Sequence, residues 1–530
     1  MSDGFAYDVV DYPSHVHPQM HPSRLGAIAR LHGIAAESPA RCRLLEVGCG
    51  DGLQLLALAQ AYPDARFIGI DLSSRAVERG DAMRIRLGLG NLQLVAADVT
   101  TWDPGAESFD YIVAHGFYSW VPQPVREGLL ALCGRALAPC GIGYISYNAL
   151  PGSHLRRMVW EMMRFHVRDV EEPSERVRKA REFLQWLGND VFKRGSYGPA
   201  VRHEAERLLK DTHPSVLFHD DLASINNPFT LTDFAAHVGA HGLAFLAEAD
   251  YHEMNPVLLG KEGQERFSAV RGNDRVANDQ YLDFLKGRRF RQSLICRGST
   301  ARSELPDPGA VMGLHASGHL RIEPLLQATG EPAGERAGVV RFANPDGAAL
   351  STNHPVVKAA LERIGDMFPQ HLAVTELLAQ ARVASMSELP PAEDAEALSV
   401  ALMRAFELGL LSLLLDPPSF ASSPGDRPVA SPLARLQVED GAETIANLRT
   451  SMVSLDSRPA IELLQLLDGT RDREAILRDL AIRMSGHALP AGQAGGSESH
   501  DAAWWASQLA PTLEEALQLS ARMALLLEPR

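Results

Sequence analysis

The chain has 530 residues, 45% of them hydrophobic and 22% charged, a globular composition whose length calls for two to four cores of roughly 100–200 residues each. Acidic residues outnumber basic ones 66 to 51, for a net charge of −15, and such a chain repels a phosphate backbone, which argues against nucleic acid as its main partner. Residues 1–20 carry breakers at Pro13 and Pro18 and lack the basic and apolar runs of a signal peptide, and nowhere does an apolar run reach the ~20 residues that span a bilayer, so no membrane association and a cytoplasmic location are expected.

Taken in order, the pattern predicts a helix from Pro22 to about Leu31, a strand at Arg43–Val47, a glycine-rich turn at Gly48–Gly52 and a helix at Leu53–Ala61. A second strand, Arg66–Ile70, ends at Asp71. Ser73 is placed to cap a helix over Ser74–Leu87. Strands at Leu92–Ala97, Tyr111–Ala114 and Gly143–Tyr147 follow, with a helix at Val125–Leu137 before the last. This alternation predicts an α/β fold, a Rossmann-like parallel sheet covered on both faces. Residues 153–211 read as helical, with breaks near Pro173 and Gly195–Pro199, and residues 151–212 hold 13 Lys/Arg against 10 Asp/Glu. A helix at Leu231–His241, a strand at Leu243–Ala249, a helix at Arg275–Lys286 and a strand at Arg291–Cys296 would complete a seven-stranded sheet, making 151–212 a helical insertion.

Residues 298–316 read as a linker. Strands at Val339–Phe342 and Ala348–Ser351, helices at Pro355–Met367, Val374–Arg382 and Asp394–Leu408, and a strand at Leu410–Leu415 suggest a winged-helix-like module over 317–416. A second linker, Pro417–Pro432, leads to a mostly helical module over 433–530, with helices at Pro459–Leu467, Arg473–Arg483 and Trp504–Leu527 and a Gly/Ser-rich stretch, Ala491–Ser499, expected to be mobile. The remaining divisions are a lid segment over 1–40, a core over 41–150 and a region completing the sheet over 213–297. Five cysteines (Cys42, Cys49, Cys133, Cys140, Cys296) form no CxxC pair, which predicts a reducing compartment and no structural zinc.

The chemistry is concentrated at strand ends. In LLEVGCGDG (44–52) a strand delivers Glu46, and Gly48, Gly50 and Gly52 turn the chain around Asp51 into a helix. Glycines permit close approach of a ligand to the backbone, and the helix start presents N–H groups. The alternatives are a bare tight turn or a dinucleotide fingerprint, but the G-x-G-x-G spacing after an acid favours S-adenosylmethionine over NAD. Asp71, followed by Leu72, lies 19 residues beyond Gly52, near the offset at which an acid meets ribose hydroxyls. Asp98, followed by Val99, closes the next strand and can accept from an adenine amino group. In FDYIVAHGFYSWVP (109–122), His115 follows the fourth strand, while Tyr118 and Trp120 are loop aromatics suited to a sulfonium; Tyr147 and Asn148 end the fifth strand, where they can orient an amine. A packing role for the aromatics and a turn role for Asn148 are the plainer readings. His219-Asp220-Asp221 is too thin a ligand set for a hard cation and reads as a cap, so no metal is expected.

Together, the glycine turn, FDYIVAHGFYSWVP, YISYNALPG, LFHDDLASINNP and HVGAHGLAFLAEAD resemble the bacterial class I methyltransferases that carry a methyltransferase regulatory domain, a group that includes bacterial protein-lysine methyltransferases. The resemblance spans about residues 5–297, with a lid-like segment from Tyr7-Asp8 to Leu25. It implies donor binding by Glu46, Gly48, Gly50, Asp71, Asp98 and His115, substrate contact from Tyr118–Trp120 and Tyr147–Asn148, and a regulatory label over about 217–297. LLQLLDGTRD (463–472) resembles small winged-helix modules that hold peptides. The expected activity is methyl transfer from S-adenosylmethionine to lysine in a protein or peptide held partly by the C-terminal modules, and a homodimer is compatible with the sequence. A small-molecule methyltransferase and a non-catalytic donor-binding adaptor are the alternatives.

Overall fold

The computed structural model describes residues 12–189, 195–211, 213–324, 338–485 and 500–528; Tyr7 and Asp8 of the lid-like segment and the stretch 491–499 lie outside them. The first half runs α1 (Pro22–Leu31), β1 (Arg43–Val47), α2 (Leu53–Ala61), β2 (Arg66–Asp71), α3 (Ser74–Arg86), β3 (Leu92–Ala96), β4 (Phe109–Ala114), α4 (Gln123–Ala136) and β5 (Leu137–Asn148). The insertion is α5 (Ser153–His166), α6 (Pro173–Gly188) and α7 (Tyr197–Asp211). Then come α8 (Leu231–Ala240), β6 (Leu243–Glu248), α9 (Gly260–Val270), α10 (Arg275–Lys286) and β7 (Phe290–Arg297).

These strands form one seven-stranded sheet in the order β3-β2-β1-β4-β5-β7-β6. The period-2 alternation of a strand divides its apolar residues between two cores. Leu44, Tyr111, Val113 and Tyr144 face one core, and Leu45, Ile68, Ile112 and Ile145 the other. β1 to β5 run parallel, as the alternation predicted, but β7 is antiparallel to both β5 and β6. Arg291 of β7 ties the last two strands together: it reaches Glu248 of β6 at 2.6 Å and Asp283 of α10 at 2.7 Å, and all three side chains are buried. The insertion has its own small core around Val159, Met163, Leu184, Val201 and Leu208. α6 starts at Pro173, and Glu172 accepts from the N–H groups of Ser174 and Glu175.

Residues 298–316, read above as a linker, are partly core. A 3-10 turn at Pro308–Gly313 buries Val311, and Leu314 is buried beside it. The Gly/Pro density of the segment hides these two apolar anchors. β8 (His315–Ser317), β9 (Arg321–Glu323), β10 (Val340–Ala343), β11 (Ala349–Thr352), α11 (Pro355–Met367), β12 (Leu372–Ala373), α12 (Val374–Ser385), α13 (Pro391–Glu407) and β13 (Ser412–Leu414) follow. Their apolar residues are continuous with the core on the α1 face of the sheet. The join is polar at its edge: the N–H of Leu415 donates to Ser23 O at 2.9 Å, and the Tyr62 hydroxyl donates to Asp416 O at 2.8 Å.

The final module holds α14 (Pro432–Glu439), β14 (Thr444–Ala446), β15 (Met452–Ser454), α15 (Arg458–Leu466), α16 (Arg473–Ser485), α17 (Ala502–Leu509) and α18 (Leu513–Arg522) around a separate core. The helix expected over Trp504–Leu527 is split in two, with Pro511 in the break. The module meets the sheet domain where Leu433 N–H donates to Gln60 Oε1 at 2.9 Å and Arg86 pairs with Asp440 at 2.7 Å. No described helix is long and apolar enough to cross a membrane.

Candidate active site

The register of the sheet brings the carboxyl ends of β1, β2, β4 and β5 to one edge; Val47 pairs with Ile70, and Asp71 with Ala96. A cavity of about 1520 Å³ opens there, between that edge and the helical insertion. Small-molecule pockets are usually ~300–1,000 Å³, so there is room for more than one small ligand. All nine donor-binding candidates line it: Glu46, Gly48, Gly50, Asp51, Asp71, Leu72, Asp98, Val99 and His115.

The glycine turn is built for close approach. Gly48 has φ +75°, and a Cβ there would fall 2.7 Å from Phe117 Cδ2. At Gly50, φ +56°, a Cβ would meet nothing within 4 Å, so the turn faces open space. Asp71 braces it: Oδ2 accepts from Gly50 N–H and Oδ1 from Ser73 N–H, both at 2.8 Å. Asp98 Oδ1 accepts from the Thr100 N–H at 2.9 Å and hydroxyl at 2.8 Å, and Oδ2 has no partner among the described residues. Asp51 accepts from Ser14 and from Leu53 N–H.

Glu46 is 6% exposed, and its Oε2 is buried without a hydrogen-bond partner. Burial, and then the charges of Asp51 and Asp71, push its carboxyl up to about 8. A buried acceptor left unsatisfied costs about 1–3 kcal/mol, and a ligand ammonium would satisfy it. These residues fit an amino-acid-bearing nucleoside with a cationic head.

His115 is held as a neutral ring. The Tyr144 hydroxyl donates to Gln292 Oε1 at 2.9 Å and therefore accepts from His115 Nδ1–H at 2.9 Å, which leaves Nε2 with its lone pair. Burial, and then the neighbouring His17, lower its pKa to about 3. The His17 ring stacks on it with centroids 4.0 Å apart, and His17 N–H donates to Gln54 Oε1 at 2.7 Å. Tyr12, Pro13, Ser14, His15 and His17 thus roof the cavity, a set of contacts that the strand-end reading did not reach.

The four substrate-side candidates separate. Trp120 and Asn148 line the cavity; Tyr118 and Tyr147 do not. Tyr118 is 0% exposed, and its hydroxyl lies 2.5 Å from His237 Nδ1. Tyr147, 1% exposed, stacks on Phe234 at 4.4 Å. Strand alternation turns Tyr147 into the core opposite the face that Asn148 takes. Asn148 N–H donates to Ser119 Oγ at 2.8 Å and its Nδ2 to Asn226 Oδ1 at 2.9 Å, so its Oδ1 is left without a donor among the described residues.

His219, Asp220 and Asp221 sit on a π-helical turn rather than capping a helix, and the two carboxylates serve as counter-ions to Arg156. Arg156 grips Asp221 at 2.7 and 3.0 Å, lies 3.8 Å from Asp220, and stands 5.9 Å over the Trp120 ring. Burial pushes the Asp220 carboxyl up to about 7. Arg156 and Phe290, whose ring meets His115 edge-on at 5.9 Å, were not singled out from the sequence. Among the described residues one group, Glu127, His237 and His241, has the spacing to hold a metal ion, and none of the three lines the cavity.

Three family models match. One described as "Methyltransferase domain" covers residues 44–141, one described as "Predicted methyltransferase regulatory domain" covers 213–297, and one described as "PKMT, C-terminal winged helix domain" covers 426–525. The chain is 34% identical over 297 residues to an uncharacterised protein of Rickettsia prowazekii, covering 56% of this chain and 53% of that one. A second protein of that organism is 32% identical over 223 residues, 42% of this chain and 88% of its own length. The chain therefore spans about half of the first relative and most of the second. Among solved structures, PKMT2 from Rickettsia typhi in complex with AdoHcy superposes with a TM-score of 0.82 at 23% identity, over 97% of this chain and 99% of that one, so the fold is shared throughout.

Proposed function

We propose that this chain, which belongs to the family joining a Rossmann-like methyltransferase domain to a methyltransferase regulatory domain and a PKMT-type C-terminal winged helix, methylates the side-chain amine of lysine in a protein substrate, with S-adenosylmethionine as donor. When bound, that donor supplies an electrophilic methyl group on a sulfonium. The observation that carries the reading is a single cavity of about 1520 Å³ lined both by the donor-type carboxylates of the strand ends and by Asn148 and Trp120.

Each residue has a definable task. Glu46 offers a carboxylate to an ammonium, Asp71 stands at the end of β2 where a carboxylate meets two vicinal hydroxyls, and Asp98 Oδ2 is available to an amino group. A neutral His115 places no second cation beside the sulfonium. Asn148 Oδ1 accepts from an amine N–H and so aims the nitrogen lone pair, and Trp120 offers a ring face to a positive centre. A lysine amine is protonated in water, with a pKa of ~10.4. Burial beside a cation lowers that value, and Asp220, raised to about 7, lines the same cavity as a proton acceptor near neutral pH. The name PKMT2 carried by the structural neighbour, read as protein-lysine methyltransferase, agrees with this assignment.

The test is incubation of the full chain with methyl-labelled donor and a bacterial protein extract, read by peptide mass spectrometry. Methyl-lysine in defined peptides is expected. Label confined to a small metabolite would overturn the protein-lysine assignment, and donor binding with no label anywhere would point to an adaptor.

A further inference from the structure

Besides Arg79, which lies on α3 near Asp51, the cavity is lined by Arg156, Arg164, Arg168, Arg176, Arg207 and Arg289, set on or beside α5, α6, α7 and β7 rather than on the strand ends. Beyond Glu46, Asp51, Asp71 and Asp98, the one lining carboxylate is Asp220. Several of these arginines are partly matched. Arg156 holds Asp221 and approaches Asp220, Arg207 and Arg289 share Glu204 at 2.6 and 2.7 Å, and Arg168 lies 3.3 Å from Asp169. Arg164 instead lies 4.6 Å over the Trp160 ring, and neither it nor Arg176 has a carboxylate within 4.0 Å among the described residues. The Nε of Arg176 is buried with no hydrogen-bond partner. Six guanidinium groups thus face four carboxylates, an excess of two positive charges inside a chain whose net charge is −15.

A guanidinium whose donors are withdrawn from water and left unpaired is poised for carboxylates, which it can grip with two parallel bonds. We propose that this chamber recognises an acidic stretch of the substrate polypeptide adjoining the methylated lysine. The inference rests on the lysine assignment above. The donor end repels such a stretch and the arginine end attracts it, so an acidic segment can lie across the chamber only with its lysine at the boundary, beside Asn148 and Trp120.

The test uses the full chain with AdoHcy and fluorescent peptides in which a central lysine is flanked by Glu and Asp, or by Gln and Asn, each also made with norleucine in place of lysine. Anisotropy reports binding, and labelled donor reports transfer on the lysine versions. Acidic flanks are expected to tighten binding by about tenfold or more for lysine and norleucine peptides alike, and the gap should shrink between about 50 and 300 mM salt. Arg164→Gln combined with Arg176→Gln should bring acidic and neutral peptides to within about twofold, with AdoHcy affinity by calorimetry as the check on folding. Equal binding of the two peptide sets, an acidic preference surviving the double substitution, or tighter binding of a fluorescent oligothymidine than of the acidic peptides would overturn the proposal. An acidic preference without methyl transfer would refute the lysine assignment and leave the recognition standing; transfer without the preference would do the reverse.

Discussion

Donor affinity is expected to rise with pH, and Glu46→Gln to abolish the rise. The Glu46 carboxyl sits at about 8 in the free protein because it is buried and faces the charges of Asp51 and Asp71. An acid of that pKa is ionised to about 0.3% at pH 5.5 and about 9% at pH 7. A donor ammonium pairs with the ionised form alone, so apparent affinity scales with that fraction and should strengthen about thirtyfold across the interval. The sign follows from linkage: pairing lowers the carboxyl pKa in the complex, a proton leaves on binding, and affinity grows as pH climbs until it levels above about 8. Calorimetry with AdoHcy in two buffers of different ionisation enthalpy measures both quantities. Close to one proton should be released per donor at neutral pH, and in the glutamine variant none should be released and the affinity should be flat. A wild-type affinity that changes less than about threefold between these pH values, or a variant that keeps the slope, would refute the pairing.

Gly80→Ala would place a Cβ 2.1 Å from the Asp51 carbonyl oxygen; because backbone must give, a cost of about 1–3 kcal/mol is expected, read as a lower melting temperature and a donor Kd raised about tenfold. Arg291→Met removes the closer of two shared partners of Glu248 and Asp283, both 0% exposed at the side chain, leaving them Arg288 at 3.3 and 3.9 Å, and should cost about 3 kcal/mol in denaturant titration; a loss under about 1 kcal/mol would mean that Arg288 or water takes over the pairing. Asn148→Ala should slow single-turnover transfer about 10²-fold while donor affinity holds. Tyr118→Phe should cost about 1 kcal/mol of stability through the lost His237 bond and leave the transfer rate within about threefold; the opposite ranking would return Tyr118 to the reacting centre.

How much was legible depended on whether the signal was local. That Glu46, the glycine turn, Asp71 and Asp98 share one cavity was legible because a parallel sheet aligns its strand ends, and each end is marked by an apolar run meeting an acid or glycine within a few residues. The orientation of Tyr118 and Tyr147 was not legible, because an aromatic near a strand end looks the same whether it turns toward the cavity or away, and only the packed Phe229 and Phe234 rings show that both turn away. Val311 and Leu314 were masked by the prolines and glycines around them. The reversed β7 had no local marker, since RQSLIC reads equally well in either direction. The arginines of the chamber are scattered over more than a hundred residues, and their one trace in the sequence was the slight basic excess of 151–212.

That scatter has a consequence for selectivity. In a cavity with one sign of charge throughout, a cationic donor and a charged peptide would compete for the same walls. Here four of the five lining carboxylates come from β1, β2, β3 and the glycine turn, with Asp220 apart from them, and six of the seven lining arginines come from the insertion and the approach to β7, with Arg79 on α3, so the two charge signs are carried mostly by different parts of the fold. Arg156 stands at the boundary, over Trp120 and paired to Asp221. On the proposed reading each ligand is attracted to one end and repelled from the other, and the place where donor and acceptor meet is set by the field between the ends before any segment closes over them. Low-dielectric walls strengthen that field relative to bulk water. The insertion, by this argument, chooses the substrate, and the sheet edge chooses the donor.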